Sequence, residues 1–221
     1  MRSPWITTTI RPELLIDCAL SVASQTVPPD EWIVYVDTEY NESYVATLVD
    51  IVPDIRIIHS GKIGRSKALN LAHVLASHDY VAWLDDDDYL ANNAIELVLK
   101  ALENHDFVYS NYWEIKGNKL CDPITNNLDF SMELLCKKNI LMGFRAFKKS
   151  LYKQIPEDLL AGIDYHLFAR IAYEIKPYKM RSKIYYKRQH YASISGKRSK
   201  KQQAEFTKTQ KWLMERYSVS V

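Results

Sequence analysis

A chain of 221 residues, 47% hydrophobic and 25% charged, is long enough to bury one substantial core, and the expectation is a single domain over residues 1–221. Its 29 Lys and Arg against 27 Asp and Glu leave a formal charge of +2, so no global field selects nucleic acid or an anionic membrane as partner. Three widely spaced cysteines, Cys18, Cys121 and Cys136, form no CxxC pair and argue against a structural zinc site, and no stretch approaches the ~20 apolar residues of a membrane span. With no signal-peptide pattern in MRSPWITTTI, a cytoplasmic protein with packing thiols and no membrane span is expected.

Residues 5–10 are short and β-branched and predict a strand. Leu14, Leu15, Cys18, Ala19 and Val22 then recur at helical spacing within 13–25, and Val27-Pro28-Pro29 ends that helix. Strands follow at 32–36, 55–59 and 80–84, with helices at 44–51 and 66–76 between them. Short strands alternating with helices indicate βαβ units and a mostly parallel sheet covered on both faces. About residues 1–92 form this half. Beyond it, the pattern gives a helix at 94–103, a strand at 107–115, a hairpin turn at Gly117-Asn118, an irregular crossing at 121–130 and a segment at 131–147 that periodicity does not place. Met142-Gly143 marks a turn or bulge, a helix returns at 162–173, a short strand at 183–186 and a last amphipathic helix at 204–217.

The stretch AWLDDDDYL places Asp85, Asp86, Asp87 and Asp88 directly behind an apolar strand. Ligands of open parallel α/β sheets bind at the carboxyl ends of strands, and these four lie at such an end. Adjacent carboxylates repel unless screened or protonated, and a divalent cation relieves them; Mg²⁺ and Mn²⁺ favour such oxygen ligands. The plainer alternative is a solvated turn with Asp88 as a helix cap. An EF-hand loop is excluded by the missing alternation and glycine. Upstream, GKIGRSKALN puts two glycines, Lys62, Arg65 and Lys67 at a helix start, a place suited to phosphate. Together the two segments suggest a metal-bridged diphosphate such as a nucleotide-sugar.

The chain resembles the inverting glycosyltransferases of family 2, which have the GT-A fold. ITTTIRPELLIDCALSVASQTVPPDEWIVYVD is similar to that family's opening, GRSKALNLA followed by YVAWLDDDDYL to its glycine-to-Ala-x-Asn helix and Leu-Asp-x-Asp-Asp segment, GIDYHLFARIA to its later acidic motif, and YYKRQHYASIS to its closing segment. The resemblance implies a GT-A α/β fold with a mostly parallel central sheet, helices on both faces and a small antiparallel acceptor-side element, residues 93–221 forming the acceptor and catalytic half. It implies Asp85 and Asp87 at a Mn²⁺ or Mg²⁺ ion, with Asp85 nearer the ribose, Asp88 behind them and His190 completing the metal or diphosphate site. Thr9, Arg11 and Asp37 would line the nucleoside pocket, Arg65, Lys67 and Asn70 would meet the ribose or phosphate side, and Asp164 would be the catalytic base. UDP is the nucleotide implied first, with dTDP or GDP behind it, and the partners are a nucleotide-sugar donor and a glycan or other hydroxyl acceptor, with no nucleic acid.

Two departures stand out: Asp37-Thr38-Glu39-Tyr40 replaces the family's Asp-Asp-Gly-Ser, and Ile163 replaces the usual glutamate before Asp164. Asp164 could alternatively serve as an N-cap, His190 as an ordinary surface or core group, and the basic run Lys197 to Lys201 as a solvated face rather than a closing loop. Tyr112, Trp113, Phe144 and Phe147 could stack on acceptor sugars or lie in the core. A sugar-phosphate nucleotidyltransferase, or a non-catalytic module that binds nucleotide-sugar or glycan, are the alternative functions.

Overall fold

In the computed structural model, which describes residues 4–189 and 200–217, the first half of the chain forms three βα units and the strand that follows them. Strands β1 (Pro4–Thr9), β2 (Glu31–Val36), β3 (Ile55–Ile58) and β4 (Tyr80–Trp83) are parallel, in the order β3-β2-β1-β4. Helices α1 (Leu15–Ala23), α2 (Glu42–Ile51) and α3 (Arg65–Leu75) connect them. The apolar pattern starts α2 at Tyr44, but Asn41 begins it two residues earlier, its side chain accepting from the Tyr44 amide at 3.2 Å.

The second half extends the same sheet. It contains β5 (Tyr89–Leu90), α4 (Ala94–Leu102), β6 (Phe107–Lys116), β7 (Lys119–Cys121), α5 (Met132–Lys137), β8 (Arg145–Lys148), α6 (Ile163–Glu174), β9 (Tyr178–Gln189) and α7 (Lys200–Tyr217). From β4 the order continues β8-β6-β9-β5, with β7 on β6, giving nine strands. Antiparallel pairs enter here, β8 lying against both β4 and β6, while β6 and β9 run parallel. The segment at 131–147 resolves into α5, a bend at Gly143 and β8. A short strand was expected at 183–186, yet β9 has 12 residues. Its length comes from pairing with β6, and its sequence hides it because only Met180, Ile184 and Tyr185 among its side chains are buried. The last helix likewise begins at Lys200 rather than at 204, where its apolar periodicity starts.

Period-two alternation sorts the strand side chains between two cores. Ile6, Ile33, Val81, Trp83, Phe107 and Phe147 pack with α3, α5, α6 and α7 on one face. Trp5, Trp32, Val34, Ala82, Val108 and Ala146 pack with α1, α2 and α4 on the other. No described helix is long and apolar enough to cross a membrane.

Two buried details have measurable consequences. Gly143 has φ +76°, and a Cβ there would lie 2.3 Å from the Ser110 carbonyl oxygen. That carbonyl belongs to a residue whose amide and hydroxyl both bond Phe144, at 2.9 and 3.1 Å, so it has little room to retreat. Gly143→Ala will therefore lower stability by about 2–4 kcal/mol in chemical denaturation. His73 is buried with its ring stacked 3.7 Å from Tyr152; Nδ1 meets the Leu69 carbonyl at 2.9 Å and Nε2 accepts from Trp83 Nε1 at 3.3 Å. These partners demand a neutral ring, and burial pushes His73 down to about 3. The folded state thus binds fewer protons than the unfolded chain below the usual histidine range. The stability His73 secures by staying neutral is complete above about pH 6.5 and falls by up to about 1.4 kcal/mol per pH unit as pH drops from there towards 3. Denaturation curves of His73→Gln between pH 7 and 4 should have a shallower pH slope than the parent.

Candidate active site

The chain leaves β1 towards β2 on one side, while β4 lies on the other, so the carboxyl ends of β1 and β4 diverge and open a crevice between them. A cavity of about 640 Å³ occupies it, within the usual size of a small-molecule site. Its walls include Thr9 and Arg11 after β1, Asp37 after β2, Arg65 on α3, Asp85 to Asp88 after β4, and Asn139, Asp164, Lys187 and Arg188 from the second half.

Each aspartate is met by a cation or hydrogen-bond donor, some of them shared between neighbours. Asp85 receives Arg65 Nη2 at 2.6 Å and has Arg145 Nη2 at 3.5 Å and the Tyr185 hydroxyl at 3.3 Å. Asp86 accepts from Thr9 Oγ1 at 2.7 Å and Arg11 Nη2 at 2.8 Å, and the same Arg11 nitrogen reaches Asp87 at 3.2 Å. Asp88 accepts from the Tyr185 hydroxyl at 2.5 Å and the Arg188 amide at 2.8 Å. The Arg188 side chain then donates to the Asp87 and Leu14 carbonyls and to Asp17, fastening the end of β9 over the aspartate loop. Asp88 caps no helix: Tyr89 and Leu90 continue as β5.

Charge differs from one to the next. Burial opposes ionisation of Asp85, but Arg65, Arg145 and Lys187 outweigh it and hold the carboxyl down to about 2. Burial and the neighbouring Asp87 push Asp86 up, against the Thr9 hydrogen bond and Arg11. Burial, with Asp87 and Asp85 beside it, drives Asp88 well above the usual carboxylate range. Asp85 is thus held ionised by its cations, whereas Asp88 is the member of the cluster most prone to hold a proton.

Asp37 lines the cavity and also ties its wall, Oδ1 accepting from the Ile63 and Gly64 amides at 2.7 and 3.1 Å. Gly64, with φ +89°, leads directly into α3 and so delivers Arg65 to the aspartates. Asp164 lies in the first turn of α6 but is not its N-cap; Gly162, with φ +64°, holds that place. Its carboxylate is 35% exposed, accepts from Asn139 Nδ2 at 3.3 Å and has Arg145 Nη1 at 3.9 Å.

The structure thus gathers Thr9, Arg11, Asp37, Arg65, Asp85, Asp87 and Asp164 around one cavity. It does not bring Lys67 and Asn70 there. Lys67 points to Glu157 at 3.2 Å. Both ends of the Asn70 amide are used to hold Ile155, donating to its carbonyl at 2.9 Å and accepting its amide at 3.0 Å, and the Tyr152 hydroxyl also donates to it. One helical turn beyond Arg65, Asn70 is a latch for the loop before α6. His190 and most of the basic run lie outside the described residues. Of the aromatics considered for sugar stacking, Phe144 and Phe147 are core, Trp113 carries the Lys183 ammonium 3.9 Å above its ring, and Tyr112 lines the cavity with its hydroxyl 3.0 Å from Thr125 Oγ1. Sequence reasoning missed Arg145, Tyr185 and Arg188. Only the last two carried a signal, as part of the quoted YYKRQH segment.

Among the described residues no three His, Cys, Asp or Glu side chains converge as a ready metal cage. Asp85 and Asp87 nevertheless both face the cavity, and magnesium-type sites commonly take one or two carboxylates and complete their shell with water and phosphate oxygens. The donor set fits an ion that arrives with a diphosphate.

A switch-point crevice walled by a strand-end carboxylate cluster, on a sheet of this order, defines the GT-A class of α/β fold. The chain belongs to glycosyl transferase family 2, whose family model matches residues 5–160. It is 30% identical over 189 residues to WcaA of Escherichia coli (strain K12), named for glycosyl transfer in colanic acid biosynthesis, covering 77% of this chain and 66% of that protein. It is 29% identical over 183 residues to the chondroitin synthase of Pasteurella multocida (strain Pm70), of which it covers 18%. Residues 1–349 of S. aureus TarS, solved with UDP-GlcNAc, share the fold with a TM-score of 0.72 at 17% identity, covering 90% of this chain and 62% of that one. The chain therefore spans just under two thirds of the first relative and less than a fifth of the second.

Because Asn70 serves the scaffold, Asn70→Ala will cost about 2–3 kcal/mol of stability in denaturation, the sum of its lost bonds.

Proposed function

We propose that this chain transfers a sugar from a UDP-sugar to a hydroxyl of a glycan or other acceptor, with inversion at the anomeric carbon. The observation that carries the reading is that a single cavity is lined by the partly exposed Asp164 carboxylate together with the Asp85 to Asp88 cluster, Arg11 and Arg65. UDP is put first because TarS structures of the same fold contain UDP and UDP-GlcNAc.

An acceptor hydroxyl is a weak nucleophile, so Asp164 takes its proton as the oxygen attacks the anomeric carbon. The bond from that carbon to the diphosphate breaks on the opposite face, and both bonding electrons leave with the diphosphate. One displacement inverts the configuration, the geometry that inverting hydrolases use with water in place of the sugar hydroxyl. Arg65 and Arg11 put fixed positive charge beside the path of the departing diphosphate. Mn²⁺ or Mg²⁺, held by Asp85 and Asp87 with His190 as a further candidate ligand, would supply additional neutralisation of the leaving oxygens. Asp37, which lines the same cavity, is the candidate partner for the uracil base, and Thr9 Oγ1 accepts from the Arg11 amide at 2.9 Å and so helps to place Arg11.

The test is a thermal-shift and calorimetric panel of UDP-sugars with and without Mn²⁺, followed by turnover of the best donor. One UDP-sugar should stabilise the protein, more strongly with Mn²⁺. Asp164→Asn should bind that donor within about twofold of the parent and lose at least about 100-fold in transfer. A panel in which no UDP-sugar binds, or an Asp164→Asn protein with undiminished transfer, would overturn the reading.

A further inference from the structure

Arg145 was not singled out by any sequence pattern, does not line the cavity, and is 3% exposed. It sits at the start of β8, in register with Trp83 on β4 and Tyr109 on β6, so the sheet fixes its backbone at the middle of the fold. Its guanidinium lies between two carboxylates from opposite sides of the site: Nη2 is 3.5 Å from Asp85 and Nη1 is 3.9 Å from Asp164. Neither contact is a tight bidentate pair of the kind arginine makes in a settled buried bridge. Its Nε is buried and has no hydrogen-bond partner, and the guanidinium carbon rests 5.0 Å over the Phe168 ring. A buried arginine kept for architecture alone would satisfy its nitrogens; an orphaned N–H beside two long ion pairs requires another explanation.

We infer that Arg145 is a positioning residue shared between the donor carboxylate Asp85 and the base Asp164, so that occupation of Asp85 by a donor releases the guanidinium towards Asp164 and readies the base. This rests on the reading of Asp164 as base. Asp85 is held by Arg65 as well as Arg145, so it stays paired when Arg145 turns away. Asp164 has no comparable reserve. The groups facing it are Arg145 from β8, the Asn139 amide from the loop after α5, and the charge of Arg65 from α3. Donor binding that draws Asp85 and Arg65 into its own contacts leaves Arg145 as the cation on which an ionised Asp164 depends. Such a device favours donor before acceptor, because the base acquires its full counter-charge only once the donor is seated.

The experiment follows the Asp164 carboxyl carbon by NMR, assigned by its loss in Asp164→Asn, in the ligand-free parent, Arg145→Met and Arg145→Lys. Removing this cation should move the midpoint of the Asp164 titration upward in Arg145→Met, and Arg145→Lys should recover part of the change. Circular dichroism and melting confirm that each variant is folded; if Arg145→Met is not, the Lys variant carries the comparison, since a point charge cannot span both carboxylates and must still displace the midpoint. An unchanged midpoint in a folded variant overturns the proposal. The titration uses ligand-free protein and so decides the role of Arg145 whether or not the UDP-sugar reading stands. Addition of UDP then tests the coupling: the parent Asp164 resonance should shift and that of Arg145→Met should not, and equal responses in both would refute the hand-over.

Discussion

The fold turns on the problem of keeping four consecutive carboxylates at the end of one buried strand. Their mutual repulsion in a poorly solvated crevice would splay the β4 end into water unless each were answered separately. The answers come from widely separated parts of the chain: Arg11 and Thr9 after β1, Arg65 on α3, Arg145 on β8, Tyr185 and Arg188 on β9. The cluster is therefore an electrostatic knot through which the parallel first half and the mixed second half are held in one geometry. A single apolar substitution in it leaves a buried charge without its counterpart, which is more costly than the net worth of the pair.

The rest of the architecture serves to deliver those counter-charges. Two apolar faces of the sheet fix strand positions, and the strand ends then present polar residues at predictable places. On the acceptor side the delivery is less direct. Glu205 of α7 is buried and accepts from the Leu160 and Ala161 amides at 3.0 and 2.9 Å, clamping the loop that turns into α6 through Gly162. Asn70 holds the earlier part of the same segment at Ile155. The carboxylate of Asp164 is thus placed by a loop pinned from both sides.

The first half was legible because its signals are local. Alternating β-branched strands and amphipathic helices, a glycine before Arg65 and an acid run after an apolar strand can all be read within about ten residues. Gly117-Asn118 is a turn for the same reason. What escaped reading depends on distant partners. β9 has mostly exposed polar side chains and exists as a long strand because β6 lies beside it, so no periodicity in 178–189 announces it. Arg145 shows the same thing at the site: GFRAF is an ordinary short strand, and the meaning of its arginine appears only when β8 is inserted between β4 and β6. Asn70 runs in the other direction. Its motif position suggested a ligand contact, whereas on α3 its side chain is directed at the 152–155 loop.

The replacement of the family's glutamate by Ile163 fits this picture. The family model ends at residue 160, so the surroundings of Asp164 belong to the part of the chain where local pattern says least. Ile163 is buried in the core shared by α5, α6 and α7, where Tyr165 stacks on Phe206 at 4.5 Å and bonds the Leu135 carbonyl. A glutamate in that seat would bring a second carboxylate next to Asp164 and need a cation of its own. An isoleucine instead anchors the helix start by packing and leaves Asp164 as the only acidic side chain in the first turn of α6. Arg145, which lies beside Asp164, and Arg65 both also contact Asp85, so the charge around Asp164 is set by groups shared with the aspartate cluster.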